Sequence, residues 1–188
     1  MEPARGFSHF PLCAGPHCRK RPMFGVSIVA AIAVIAIIIA LTNRRLSAES
    51  LLRDDVPFRA QIINAASKHG IDPCLLAGLV KAESAFDAGA KRFEPALNEY
   101  SLGLVQILLS TANDLMPGVT QERLLSDTQL NLNLGAEYLD WLRANFSVKL
   151  PEDVDAYNVG PGNFRKGVRN PDYRNKVILY MGDYCYES

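Results

Sequence analysis

Neither sign of charge is in excess in this sequence, whose 188 residues contain 20 basic and 20 acidic side chains. The charges are unevenly placed. Residues 1–45 hold six Lys or Arg and one acid, a net charge of +5. Residues 46–188 hold fourteen Lys or Arg and nineteen Asp or Glu, a net charge of −5. A domain with a net charge of −5 lacks the basic surface that nucleic-acid binding requires. Nucleic acid is therefore not an expected partner.

Internal repeats and low-complexity tracts are also absent, and the sequence has only four cysteines and three histidines. Cys13 and Cys18 lie near His9 and His17, but their spacing matches no usual zinc pattern, so no metal site is predicted. Two further cysteines, Cys74 and Cys185, lie at opposite ends of the C-terminal domain. If that domain is extracytoplasmic, they could form a disulfide, because such compartments favour oxidation.

Charged residues are missing from Phe24 to Thr42, a run of nineteen residues that is long enough, as a helix, to span the roughly 30 Å hydrocarbon core of a bilayer. A buried soluble helix and a cleavable signal peptide are the alternatives. The run shows no polar face and is longer than a signal core, and Arg44 and Arg45 follow it directly. We therefore predict a disordered basic tail (1–22), an uncleaved transmembrane helix (23–42) and a short linker (43–53).

Residues 54–188 are predicted to form one mainly α-helical domain, with strand-like alternation only around residues 100–107. Helices are expected to begin where a capping residue, in two cases followed by proline, precedes an apolar periodic segment. Such signals occur at five places: Asp54 or Asp55, Asp72-Pro73, Ser110, Ser126 and Asn170-Pro171. The side chains of the longest helix that are predicted to be core are Leu130, Leu134, Tyr138 and Trp141.

The helix that begins at Asp72-Pro73 contains the candidate catalytic residue, Glu83. This residue follows Leu79 by four positions and Val80 by three, so it continues an apolar stripe along one helix face. Burial disfavours the charged form of a carboxyl and raises its pKa, which a general acid working near neutral pH requires. The stripe alone does not decide the role, because an exposed residue at the end of the helix, or a partner for an arginine, explains it at least as well.

Several short motifs strengthen the catalytic interpretation. They are, in chain order, Ala82–Phe86, Ser101–Gln106 followed by Ser110–Ala112, Asn131–Leu139, Ala156–Gly162 and Tyr173–Val177. Any one of these motifs is weak, but all of them in this order on a helical domain are specific. The set resembles the motifs of the soluble lytic transglycosylase family.

The resemblance implies a lysozyme-like, mainly α fold, related to that of goose-type lysozymes, with a long cleft for peptidoglycan glycan strands. It implies a single glutamate, Glu83, as acid and base in cleavage of the β-1,4 bond between N-acetylmuramic acid and N-acetylglucosamine, giving a 1,6-anhydro product. No metal or organic cofactor is implied. The residues that would bind substrate are Ser101, Gly103, Gln106, Tyr157, Asn158 and Tyr173.

The segment between Glu83 and Gly103 is longer than is usual in the family, and it introduces Glu94 and Glu99 as candidate second carboxylates. A second carboxylate at about 6.5–9.5 Å would make direct hydrolysis feasible, so a muramidase is the nearest alternative. A non-catalytic glycan-binding or scaffold protein is another. Because the substrate lies outside the cytoplasmic membrane, we expect a single-pass inner-membrane protein with a periplasmic domain. Its role in ordinary wall turnover or in a secretion, conjugation or phage apparatus stays open.

Overall fold

The computed structural model describes residues 28–186. The chain divides into two units, Met1–Ile39 and Ala40–Ser188, and the candidate site lies within the second. The predicted tail, residues 23–27 of the predicted transmembrane helix and the Cys13–Cys18 pair lie outside the described residues. Within those residues there are eight helices and three short strands.

The first helix, α1, covers Ile28–Leu51 and includes most of the segment that was predicted to be a linker. Leu52, which follows it, is completely buried and forms a β-bridge with Cys185. The core of the C-terminal domain therefore begins two residues before the predicted boundary at residue 54. No helix among residues 28–186 combines the length and the apolarity that a membrane crossing requires.

The helices and strands of the domain follow in an order that places a small sheet between two groups of helices along the chain. The antiparallel strands pair in the order β1-β2-β3. The elements are α2 (Arg59–His69), α3 (Pro73–Ser84), β1 (Lys91–Glu94), β2 (Glu99–Leu102), β3 (Ile107–Leu108), α4 (Leu109–Leu115), α5 (Gln121–Ser126), α6 (Thr128–Phe146), α7 (Glu152–Arg165) and α8 (Pro171–Asp183).

Helix α3 lies in the centre of the core, and every residue from Pro73 to Val80 is buried. It begins where the sequence predicted, because the Asp72 side chain accepts a hydrogen bond from the Cys74 backbone N–H at 2.8 Å and proline occupies the first turn. From Lys81 to Ser84 the helix is only half-buried. The end that carries Glu83 therefore emerges from the core at its surface.

Helix α8 packs closely against α3. A Cβ atom on Gly78 would lie 2.7 Å from the Val177 carbonyl oxygen, so only glycine permits the two backbones to approach this closely. Cys74 and Cys185 form a disulfide between the start of α3 and the segment that follows α8, with their Cα atoms 5.9 Å apart. These two contacts fix the position of α8 relative to α3, the helix that carries Glu83.

Several predicted helix starts differ from the observed ones. Asp54 and Asp55 pair with Arg59 and Arg53 instead of capping, and α2 begins at Arg59. The α6 cap is Asp127, one residue after Ser126. Ser110 lies inside α4, whereas Asn170 does cap α8 as predicted.

Candidate active site

Glu83 lies where two cavities meet on the surface of the domain. The larger cavity has a volume of about 720 Å³ and the smaller about 420 Å³. Both are lined by Glu83, Arg92 and Gln106. A chain-like ligand that occupied both cavities would therefore pass directly over the Glu83 carboxyl.

Burial raises the pKa of the Glu83 carboxyl above its ordinary value. The Tyr173 hydroxyl, which donates a hydrogen bond to Glu83 Oε1 at 2.5 Å, opposes this rise, as do the charges of Arg92 and Lys176, whereas Glu94 adds to it. The net effect favours the protonated form. A protonated carboxyl at the edge of a cavity can transfer its proton to a ligand oxygen.

Tyr173 is held next to Glu83 by the start of helix α8. Its backbone N–H is capped by the Asn170 side chain, and the neighbouring Arg174 forms an ion pair with the fully buried Asp155 at 2.6 Å. Burial first, and then the nearby Glu83, raises the pKa of the Tyr173 phenol well above its ordinary value. The phenol therefore remains a hydrogen-bond donor to Glu83. The sequence suggested that Tyr173 contacts substrate, whereas the structure shows its hydroxyl bonded to Glu83.

The loop between β2 and β3 passes beneath the cavities, and its backbone is held by side chains from three helices. Ser84 of α3 donates to the Leu104 carbonyl at 2.8 Å, and Tyr157 of α7 donates to the Val105 carbonyl at 2.9 Å. Asn131 of α6 bonds both to the Leu102 carbonyl and to the Val105 N–H. These bonds satisfy buried backbone groups that would otherwise be costly.

Three of the predicted substrate contacts also make contacts within the protein. The Tyr157 ring lines the larger cavity, but its hydroxyl is occupied by the Val105 carbonyl. Gln106 lines both cavities, while its amide N–H groups donate to the carbonyls of Ala90 and Gly103. Gly103 lines neither cavity: it has a φ of 73°, and a Cβ atom there would lie 2.5 Å from the Asn131 side chain. Only glycine at this position leaves room for the Asn131 side chain.

Two other predicted residues line the larger cavity. Ser101 is buried, with its Oγ atom 2.9 Å from a Glu94 carboxylate oxygen and 3.1 Å from the Gln106 amide oxygen. Asn158 is exposed and accepts a hydrogen bond from Asn170 at 2.8 Å. Asn158 therefore remains the predicted polar contact with the freest access to a ligand.

The two additional acids have different positions. Glu94 lines the larger cavity together with Glu83, and a hydrogen bond from Arg92 at 2.7 Å lowers its pKa. Glu99 accepts hydrogen bonds from the backbone N–H and the hydroxyl of Ser110 at the start of α4, and it lines neither cavity. Of these two acids, only Glu94 remains a candidate second carboxylate.

Trp141 was predicted to be a core residue, and this was wrong. Its side chain is 38% exposed, lines the larger cavity and stacks on Tyr138 with the ring centroids 6.1 Å apart. Apolar spacing on a helix does not distinguish a core position from the wall of a cleft, so this role could not be predicted from spacing. Stacked aromatic rings present a flat apolar face of the kind on which sugar rings can lie.

Comparison with known proteins places the fold among the lytic transglycosylases. Solved structures that it resembles include an inactive mutant of the lytic transglycosylase Slt from Pseudomonas aeruginosa, with a TM-score of 0.56 and 23% identity over 69% of this chain. Another is the 70 kDa soluble lytic transglycosylase of Escherichia coli, with a TM-score of 0.57 and 22% identity over 83% of this chain. The chain covers 24% and 27% of those two chains.

The sequence model of the family described as "Transglycosylase SLT domain" matches residues 60–179, which is more than half of the chain. The chain belongs to this family. The family resemblance that the motifs suggested is thereby confirmed, and so is a mainly helical fold. The matched segment contains Glu83, every predicted substrate-binding residue, and all the residues that line the two cavities except Tyr180.

Proposed function

We propose that this protein is a peptidoglycan lytic transglycosylase that cleaves the bond between N-acetylmuramic acid and N-acetylglucosamine. The observation that carries this proposal is the position of Glu83, a carboxyl whose pKa is raised by burial, at the junction of two cavities. Family membership supports the same activity. The related Slt structure from Pseudomonas aeruginosa is that of an inactive glutamate-to-glutamine mutant, which supports an essential glutamate.

In the proposed reaction, protonated Glu83 donates its proton to the glycosidic oxygen as the bond to the muramic acid C1 breaks. The N-acetyl group of the same sugar stabilises the positive charge at C1, so a second enzyme carboxylate is unnecessary. The Glu83 carboxylate then removes the proton from the C6 hydroxyl, whose oxygen forms a bond to C1. The product is 1,6-anhydro-N-acetylmuramic acid, and Glu83 regains its proton.

Tyr173, Arg92 and Lys176 all stabilise the ionised form of Glu83 and would make this second step accessible. Burial favours the protonated form that begins the reaction, whereas the Tyr173 hydrogen bond and the two cations favour the carboxylate that follows proton transfer. A residue that serves as acid and then as base needs both forms within reach.

Glu94 supports a second candidate, a muramidase that releases a reducing sugar. Its pKa is lowered while that of Glu83 is raised, and both acids line the larger cavity. Two carboxyls with divergent pKa values are typical of an acid and base pair. However, Arg92 and Ser101 both contact the Glu94 carboxylate, which reduces its availability to a water molecule.

Product analysis distinguishes these two activities. The full chain in detergent is incubated with purified peptidoglycan, and the released fragments are identified by mass spectrometry. We expect fragments that end in 1,6-anhydro-N-acetylmuramic acid, 18 mass units lighter than the reducing sugars that hydrolysis would give, because elimination of the leaving sugar consumes no water. Fragments that end predominantly in reducing N-acetylmuramic acid would establish the muramidase instead.

We further propose that residues 23–42 anchor the protein in the cytoplasmic membrane, with the catalytic domain on the periplasmic side, where the substrate lies. The apolar residues 30–40 of α1 are all exposed, which suits contact with lipid. A disulfide between Cys74 and Cys185 suits an oxidising compartment. Finding these two cysteines reduced in cells would contradict this location. A membrane tether is compatible with wall turnover and with a secretion, conjugation or phage assembly.

A further inference from the structure

Tyr173 lies in the first turn of helix α8, whereas the contacts that fix this helix against α3 lie further along the chain. The close approach of Gly78 meets α8 at Val177, and the disulfide joins the segment after the helix at Cys185. The hydrogen bond from Tyr173 to Glu83 depends on where the first turn lies. The start of α8 therefore needs an attachment of its own.

That attachment is the carboxylate of Asp155 in helix α7, whose two oxygens both accept hydrogen bonds from the start of α8. Oδ1 accepts a bond from the Asn170 backbone N–H at 2.9 Å, and Oδ2 accepts one from the Arg174 guanidinium at 2.6 Å. The Asn170 side chain in turn accepts a bond from the Tyr173 backbone N–H at 3.2 Å. One carboxylate thus binds residues on both sides of Tyr173.

The chemistry of this ion pair suits orientation better than stability. Asp155 is completely buried, and the Arg174 side chain is mostly so. A buried ion pair often stabilises a fold no more than well-packed apolar side chains of similar volume, because both charges lose their water. A guanidinium and a carboxylate do bind in a few fixed geometries, however, and those geometries fix direction. The pair is therefore placed to orient the first turn of α8.

Orientation matters at this point because Glu83 changes its charge during the proposed reaction. The Tyr173 hydroxyl stabilises the Glu83 carboxylate only while the two groups stay within hydrogen-bond distance and alignment. A small rotation of the first turn would remove this bond. The other charged or titratable groups that act on Glu83 are Arg92 and Glu94 of β1, Lys176 of α8 and Tyr157 of α7.

We propose that Asp155 is a positioning residue for Glu83: it holds the start of α8 so that the Tyr173 hydroxyl stays bonded to the Glu83 carboxyl. The effect on cleavage rests on the proposed function, whereas the positioning itself needs no substrate. Loss of the Asp155 carboxylate is expected to lower kcat by about 10–100-fold, since a misplacement of about 1 Å can cost 10²-fold. KM should change little, because Asp155 lines neither cavity.

The first measurement is the pKa of Glu83, followed by ¹³C NMR titration of the full chain in detergent without substrate. Asp155→Asn is expected to raise this pKa, as Tyr173→Phe does, because in both variants the ionised carboxyl loses its hydrogen-bond donor. The direction is diagnostic, since removing a nearby negative charge would by itself lower the pKa of a carboxyl. The double variant should have the same Glu83 pKa as Tyr173→Phe alone, because Asp155 acts through the hydroxyl that is already missing.

The second measurement is the pH dependence of kcat on purified peptidoglycan. The reaction begins from protonated Glu83, so kcat falls as the pH rises through the pKa of this group in the enzyme–substrate complex. In Asp155→Asn the maximum of kcat should be lower, and the pH at which kcat falls should be higher. A variant that was only less stable would lose activity without moving this pH.

Asp153→Asn is the matched control. Asp153 is also a completely buried carboxylate of α7, and it forms an ion pair at 2.7 Å with Arg143, which belongs to α6 and not to α8. This variant should lower Tm as Asp155→Asn does. Below the Tm of both variants, it should keep the wild-type Glu83 pKa and the wild-type kcat.

If Asp155→Asn does not fold, Asp155→Ala/Arg174→Met tests the same attachment without leaving a buried charge unpaired. It is expected to raise the Glu83 pKa as well. A Glu83 pKa that stays at or below the wild-type value in the folded variant, or that rises equally in Asp153→Asn, would overturn the inference while leaving the proposed function intact. A wild type that cleaves no glycan would remove the proposed function, and the titration would still decide whether Asp155 positions Tyr173.

Discussion

Replacing Glu83 by glutamine is expected to lower kcat for glycan cleavage by about 10²–10⁴-fold, the usual contribution of a general acid or base. Glutamine has nearly the same shape and can still accept the Tyr173 hydrogen bond, but it has no proton to transfer. The measurement is the rate of appearance of soluble muropeptides from purified peptidoglycan. A Glu83→Gln variant that retained a tenth or more of the wild-type rate would contradict the assignment.

The same substitution should not destabilise the fold, which separates lost chemistry from lost structure. The pKa of Glu83 is higher in the folded state than in the unfolded state. The stability that this group contributes is therefore fully present below the pKa of the unfolded state, and it is lost as the pH rises through the pKa of the folded state. Glutamine does not ionise, so the variant does not lose this stability as the pH rises. The variant should therefore melt at or above the wild-type temperature at pH 7, with the difference disappearing below pH 4.5.

A matched control for this experiment is Glu152→Gln, which removes one negative charge from an exposed residue in the first turn of α7. Glu152 lines neither cavity, so its replacement should leave the cleavage rate close to that of the wild type. A similar loss of activity in both variants would show that net charge, and not the Glu83 carboxyl, determines the rate.

Removal of the Cys74–Cys185 disulfide is expected to cost about 2–5 kcal/mol of stability, because the bond closes a loop with a sequence separation of 111 residues. For a domain of this size that loss lowers Tm by roughly 10 °C. Activity at temperatures near the new Tm should fall as well, since the bond joins α3, which carries Glu83, to the segment after α8, which carries Tyr173. Thermal unfolding of Cys74→Ala/Cys185→Ala measures the effect.

Reduction with dithiothreitol provides the control for this variant. It should lower the Tm of the wild type towards that of the double variant and leave the Tm of the variant unchanged. A wild-type Tm that does not respond to reduction would contradict a stabilising disulfide between these cysteines.

The sequence predicted helix α3, which carries Glu83, well because its signals are local. Asp72 and Pro73 set the start of α3 through one cap and one restricted φ angle, and the stripe through Leu79 and Val80 predicted the burial that continues to Glu83. The same holds for Asn170-Pro171 at the start of α8. In each case the relevant atoms lie within one or two helical turns, so spacing in the sequence is also spacing in the structure.

The roles of other motif residues depend on contacts between distant segments and were not predictable from spacing. Ser84 and Tyr157 are separated by more than seventy residues, yet both bind carbonyls of the same short loop. The absence of a side chain at Gly103 leaves room for the Asn131 side chain, and Glu99 accepts a hydrogen bond from the Ser110 hydroxyl. The sequence suggested substrate contacts for the polar residues near Glu83, and it gave no indication that several of them hydrogen-bond the buried backbone of this loop.

The most direct test of the account is the pKa of the Glu83 carboxyl itself, measured by ¹³C NMR titration of protein labelled at the glutamate side chains. The Glu83 resonance is identified as the one that is absent from Glu83→Gln. We predict a midpoint above 4.5 in the wild type, and a higher one in Tyr173→Phe because the ionised carboxyl loses a hydrogen-bond donor. A wild-type midpoint at or below 4.5 would mean that burial does not retain the proton, and it would contradict the role of Glu83 as the general acid.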